Sequence, residues 1–277
     1  MRSGTPTELW SGESPLHNSV GVPDLTVGVP DLKFIHEVTV RHPYYFVIFL
    51  RIMPRQPRIV IPNVPHHVTQ RGNRRQLTFF CEDDYQLYCD IMKKSCKKYE
   101  VTILAYCLMP NHVHLVAVPT SESALRFAIG EAHERYTKQI NLRMDWKGHL
   151  WQGRFFSVPM DDDYLNKCVR YIEQNPVRAD LCKYPEDYKW SSAQAHLFQK
   201  SDPLIERGSM VERHPNWRDF LNKTLDSAEI DLIRKNSQVG RPLGSQSFIQ
   251  KIEQSTGFDF TLRKPGPKSG TRSEIGA

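Results

Sequence analysis

Two short stretches hold the residues best suited to chemistry. The first, LMPNHVHLVAV from Leu108 to Val118, sets two histidines one residue apart. In an extended strand side chains alternate, so His112 and His114 share a face. Two imidazoles side by side on a rigid strand can chelate one divalent ion. The second stretch, YLNKCVRYIEQNPVRAD from Tyr164 to Asp180, suits a helix. On a helix Tyr171 and Asn175 stand one turn apart and share a face, with Lys167 one turn the other way. Leu165, Cys168, Val169 and Ile172 form a neighbouring apolar stripe that can dock this helix. Taken alone, each feature has a plainer reading. An H-x-H pair is more often surface or hydrogen-bonded than metal-binding, and a tyrosine beside such a stripe more often packs than attacks.

Charge gathers nearby. Arg71, Asn73, Arg74 and Arg75 cluster where a strand ends in an RGN turn and could clamp phosphates. His66 and His67 could share that surface or serve the structure. Arg126, Arg135 and Lys138 add charge to a later helix. Any single exposed arginine is more often a solvated charge than a contact.

The elements that must position these groups follow from periodicity. Pro65 to Gly72 suits a strand ending in a turn. Asp83 to Tyr99 suits a helix, with acids at its start and lysines at its end. Val101 to Met109 is an apolar strand, Pro110 and Asn111 break it, and His112 to Val118 is a second strand ending at Pro119. On that strand the row opposite the histidines, Val113, Leu115 and Ala117, is apolar and can pack on helices. Leu125, Ile129, Ala132, Tyr136 and Ile140 recur at helical spacing. Gly148 to Val158 reads as a strand. Asp161–Asp163 open a helix that must stop near Asn175, because Pro176 restricts the residue before it. The order β-α-β-β-α-β plus one helix predicts an α+β fold. Its expected form is a ferredoxin-like, split βαβ antiparallel sheet, with helices on one face and an extra helix carrying the tyrosine.

The ends differ from this middle. In residues 1–52 the string VGVPDL at Val20–Leu25 recurs at Val27–Leu32, a period too short for a solenoid. This segment reads as a disordered or spurious extension, with Met53 as the expected true start. Residues 53–200 form the expected catalytic domain. Residues 201–277 read as a polar, basic, flexible tail ending in GRPLG at Arg241 and RKPGPKSGTR at Arg263. The 277 residues carry a net charge of +6 with 39% hydrophobic residues, a globular mix leaning towards a polyanionic partner. The six cysteines form no C-x-x-C pair, which argues against structural zinc and for reduced thiols in a cytoplasm. No secretory leader is visible, and the longest apolar run, Tyr44 to Leu50, is too short to span a bilayer. No P-loop is visible either.

Together the strings VPHHVTQRGNRRQ, LMPNHVHLV, WQGRF and YIEQNPVRA, in this order, resemble the REP-associated tyrosine transposases. These are a chromosomal branch of the single-tyrosine HUH transposases, and the resemblance runs from about Arg58 to Leu197. It implies that His112 and His114 bind metal, that Tyr171 is the nucleophile and that an amide one turn on, Asn175, is the third ligand. Gln174 is the alternative, but it would point about 100 degrees round the helix. The implied cofactor is Mg²⁺ or Mn²⁺. The implied partner is single-stranded or hairpin DNA from palindromic repeats, cut through a 5′-phosphotyrosine link. Mobile relatives are dimers and this branch can act as monomers, so a monomer is expected and a homodimer is the alternative. The expected location is cytoplasmic, at the nucleoid. Two competing readings are a repeat-binding regulator that does not cut, and a phosphoesterase that uses water instead of tyrosine.

Overall fold

The computed structural model describes residues 58–205 and 209–260. The repeat-bearing extension, the expected start at Met53 and the RKPGPKSGTR string lie outside the described residues. Four strands, β1 (His66–Arg71), β2 (Val101–Met109), β3 (His112–Pro119) and β4 (Phe156–Pro159), form one antiparallel sheet in the order β2-β3-β1-β4. The helices are α1 (Glu82–Lys98), α2 (Ala124–Met144), α3 (Asp162–Glu173), α4 (Asn175–Arg178), α5 (Ala193–Phe198), α6 (Ser209–Arg213), α7 (Trp217–Asn222), α8 (Ser227–Val239) and α9 (Gln246–Thr256). With β1-α1-β2-β3-α2-β4 and this strand order, the fold is the split βαβ sheet that the sequence predicts.

The sheet is covered on both sides. Val68, Val113, Leu115 and Ala117 pack with α1 and α2 in one core. A β-bulge between Ile103 and Ala105 shifts the alternation of β2, as an extra residue must. Thus Ile103, Tyr106 and Leu108 join the first core, whereas Ala105, Cys107 and Met109 face the second. There they meet Leu165, Cys168, Val169 and Ile172 of α3, the apolar stripe read from the sequence. Asp161 caps α3 by accepting from the Tyr164 amide.

Three expectations are corrected. The run from Gly148 to Val158 is mostly loop, and the strand proper is only Phe156–Pro159. Gly148 and Gly153 adopt positive φ, which interrupts extended backbone. The loop is still tied to β1, since the Gln152 amide donates to the Arg71 carbonyl and Gln70 Nε2 donates to the Gly153 carbonyl. Secondly, His66 and His67 do not lie at the surface of the basic turn, and the structural alternative holds. Both are buried, and as strand neighbours they point to opposite faces. Thirdly, the described part of the expected tail carries four helices between Ser209 and Thr256. Trp217, Phe220, Leu221, Leu225, Ile233 and Leu243 close the second core. Leu243, within GRPLG, bridges Met160 and donates its amide to the Pro159 carbonyl. Among the described residues no helix is long and apolar enough to cross a membrane.

Candidate active site

His112 and His114 occupy alternate positions at the start of β3, opposite Arg71 and Thr69 of β1. Their ring centroids are 5.0 Å apart. The α3 helix crosses this face and brings the Tyr171 ring to 5.8 Å from that of His114. Both histidines, Tyr171 and Asn175 line one cavity of about 610 Å³. The strand period and the helix period therefore meet at a single place.

Burial keeps these rings neutral. It pulls His112 down to about 4, with the Arg71 charge adding to the effect. It lowers His114 further below its ordinary value, helped by His112, His67, Arg178 and Arg71. A neutral imidazole keeps a lone pair for a metal. Each ring is also held through its Nδ1 atom. His112 Nδ1 lies 2.6 Å from Asn111 Oδ1, and Asn111 Nδ2 donates to the Arg75 carbonyl at 3.1 Å. His114 Nδ1 lies 2.9 Å from Nε2 of His67.

Asn175 is buried one turn beyond Tyr171, at the first position of α4. Pro176 ends α3 at Glu173, but backbone bonding continues through the junction, from the Arg178 amide to the Gln174 carbonyl. Gln174 turns away and donates its side-chain amide to the Leu221 carbonyl of α7. Asn175 Oδ1 accepts from Arg178, while its Nδ2 is buried with no hydrogen-bond partner among the described residues. A carbonyl oxygen has a second lone pair. The donor set of two neutral imidazoles and one amide oxygen thus fits a divalent ion. Among the described residues no group of three or more His, Cys, Asp or Glu is arranged to hold a metal.

The basic groups divide. Arg71 and Arg75 line this cavity. Asn73 and Arg74 belong to the adjoining 3-10 turn, where Arg74 and Arg75 take positive φ. Gly72 is required there, because an added Cβ would lie 2.3 Å from the Gln76 carbonyl oxygen. Arg126 and Lys138 line a different cavity beside α2. Lys138 pairs there with Glu134 at 2.7 Å, and Arg135 pairs with Glu131.

Three participants, Arg178, Arg234 and Ser237, escaped the sequence reading, and a fourth, His67, was read without a place in the site. Arg178 stacks 4.3 Å above the Tyr171 ring and donates to the Tyr171 carbonyl. Its Nε and Nη1 are buried without a hydrogen-bond partner among the described residues. Burial lowers this guanidinium below the ordinary arginine value, opposed by the adjacent Tyr171. His67 stacks against His114, and Arg234 and Ser237 reach the cavity from α8. The VRA that follows NP was a usable signal for Arg178, since it lies seven residues, about two helical turns, past Tyr171.

A family model described as "Transposase IS200 like" matches residues 61–175. A Haemophilus influenzae protein described as a REP-associated tyrosine transposase is 26% identical over 136 residues, which cover 45% of this chain and 75% of that protein. Among solved structures, a REP-associated tyrosine transposase bound to a REP hairpin is 22% identical. It covers 57% of this chain and 93% of its own, with a TM-score of 0.46. A Deinococcus radiodurans chain described as a transposase is 20% identical with a TM-score of 0.30, covering 43% of this chain and 95% of its own.

Proposed function

We propose that this protein, whose residues 61–175 match the family model described as "Transposase IS200 like", cuts and rejoins single-stranded or hairpin DNA through a covalent link to Tyr171. The observation that carries the reading is that Tyr171 and the two strand histidines line one cavity with Arg71, Arg75 and Arg178. A phosphodiester needs an in-line nucleophile and positive groups on its non-bridging oxygens. The cavity supplies candidates for both.

In this reading His112, His114 and Asn175 would hold Mg²⁺ or Mn²⁺. Such an ion, when bound, polarises the phosphodiester and stabilises the charge that builds during transfer. The chain's own groups do the rest. Arg71 and Arg75 hold the flanking phosphates. Arg178 brings its positive charge to the cavity wall and faces the phenol ring that must give up its proton. The Tyr171 oxygen attacks phosphorus, the O–P bond to the departing 3′-hydroxyl breaks, and a 5′-phosphotyrosine remains. Attack by a 3′-hydroxyl reverses the step, so no external energy source is needed. The substrate class extends to this chain what is described for the similar hairpin-bound protein, and the positive cavity supports a polyanion. A monomer and a nucleoid location go with this reading.

The test is a labelled repeat hairpin incubated with Mn²⁺ and resolved by denaturing electrophoresis. Wild type should give a protein–DNA adduct. Tyr171→Phe should bind the hairpin yet give no adduct. Tyr164→Phe, whose ring lies outside the cavity lining, should still form it. Cleavage by Tyr171→Phe without an adduct would make water the attacker and defeat the proposal. Binding with no cleavage by wild type would favour the non-cutting regulator.

A further inference from the structure

Behind His114 a line of buried groups runs to the C-terminal helix α8. Ser237 Oγ lies 2.6 Å from the Ile233 carbonyl oxygen, one turn back on α8. It lies 2.9 Å from Nδ1 of His67. Nε2 of His67 lies 2.9 Å from Nδ1 of His114. All three side chains are buried, His67 at 1%, His114 at 7% and Ser237 at 8% exposure. Few waters can therefore stand in for any link.

The direction of this line is fixed from one end. An oxygen–oxygen contact of 2.6 Å needs a proton between the atoms, and a carbonyl has none to give. Ser237 must therefore donate to Ile233, so its oxygen can only accept from His67. A neutral imidazole carries one N–H, which His67 then holds on Nδ1. Its Nε2 is left as an acceptor. The proton between the two rings must come from Nδ1 of His114. That leaves His114 with a lone pair on Nε2, the nitrogen not engaged with His67. His112 is anchored in the same sense. The Arg75 carbonyl orients the Asn111 amide, whose oxygen faces His112 Nδ1.

We infer that Ser237 and His67 are positioning residues that fix the tautomer of His114, so that the metal site of the proposed nuclease is completed by a helix about 120 residues further along the chain. The inference rests on the metal-site reading given above and adds to it how the ligand is held. Outer partners that orient a ligating histidine commonly account for 10- to 100-fold in metal affinity. Without the hydroxyl, His67 is free to carry its proton on Nε2 and donate to His114. The proton of His114 would then sit on Nε2, where it blocks coordination.

The experiment uses the full-length protein. Long-range ¹H–¹⁵N spectra of the metal-free protein read which nitrogen of each histidine is protonated. Wild type should show both His67 and His114 protonated at Nδ1, and His114 protonated at Nε2 would overturn the inference without any variant. Ser237→Ala should move part of the His114 signal to the Nε2–H form. It should also weaken Mn²⁺ binding about ten-fold by calorimetry. Unchanged tautomers together with unchanged Mn²⁺ affinity in Ser237→Ala would overturn the relay alone. His112→Ala separates the two readings. It should lose Mn²⁺ binding, and wild-type affinity there would overturn the metal site on which the relay depends.

Discussion

A guanidinium buried against a phenol ring is costly to desolvate, so its retention in the cavity wall calls for a counter-charge. Among the described residues Arg178 makes hydrogen bonds through Nη2, to the Tyr171 carbonyl and to Asn175 Oδ1, and none through Nε or Nη1. In the proposed reaction the transferring phosphate, held in the cavity that Arg178 lines, is that counter-charge. Removing one preorganised donor from a charged transition state typically costs 10²- to 10³-fold in rate. We expect Arg178→Ala to slow adduct formation about 100-fold at saturating hairpin and Mn²⁺. Arg178→Lys should rescue little, because an ammonium cannot reproduce the planar fork. Single-turnover kinetics check this, and a wild-type rate for Arg178→Ala would remove Arg178 from the chemistry. His112→Ala should abolish the adduct while leaving the hairpin dissociation constant within a few-fold, measured by fluorescence anisotropy. DNA affinity comes from many phosphate contacts, whereas the metal has few ligands.

The tyrosine helix is held in place by a buried carboxylate. Glu173, at the last position of α3, is fully buried. It accepts from Ser192 Oγ at 2.5 Å, His196 Nδ1 at 2.6 Å and Trp217 Nε1 at 2.9 Å. One side chain thus ties α3 to α5 and α7. Removing one partner of such a buried network strands the others and costs about 3–5 kcal/mol. Glu173→Ala should lose that much in urea unfolding, and a loss below about 1 kcal/mol would show that the three donors find other partners. The basic turn works differently. Arg71 and Arg75 sit on the turn that Gly72 allows, at the mouth of the cavity. Arg71→Ala and Arg75→Ala should each flatten log K against log salt by about 0.7, the value for one phosphate of a single strand. A slope unchanged in both would place the DNA backbone elsewhere.

Buried histidines also make the folded protein as a whole sensitive to acid. Burial pulls His66 down to about 4 and His133 down to about 3, from an ordinary 6.5. His66 stands beside the Val64 carbonyl, and His133 is packed on Trp151 with Tyr88 at 3.0 Å. A histidine with a depressed folded value adds stability above its unfolded value. That stability drains as pH falls from about 6.5 towards the folded value. Each such group contributes a slope of about 1.4 kcal/mol per pH unit within that window. The melting temperature should therefore drop steadily from pH 6.5 to pH 4.5, and His133→Gln should shrink the drop. A melting temperature flat across that interval would mean that these rings are not buried neutral.

The local periods of the chain were legible in the sequence. A strand repeats every two residues and a helix every 3.6, so HVH and YIEQN each state which side chains share a face. Those periods were enough for β1, β2 and β3, for α1, α2 and α3, and for the shared faces of His112 with His114 and of Tyr171 with Asn175. Partners far apart in sequence were not legible. His67 and His114 are separated by 47 residues, and Ser237 and His67 by 170. No spacing rule links positions that meet only when α8 packs on the sheet. The helices after residue 208 were missed for a related reason. Short helices are marginal in isolation, because nucleation costs more than a few turns return, and most of their stability comes from docking. Trp217, Phe220 and Ile233 become core residues only once β4 and α3 supply a surface to cover. The sequence by itself determined which of its chemically capable side chains share a strand or helix face. Only the tertiary structure decided how each is held, because tautomers and buried donors depend on neighbours that chain order does not reveal.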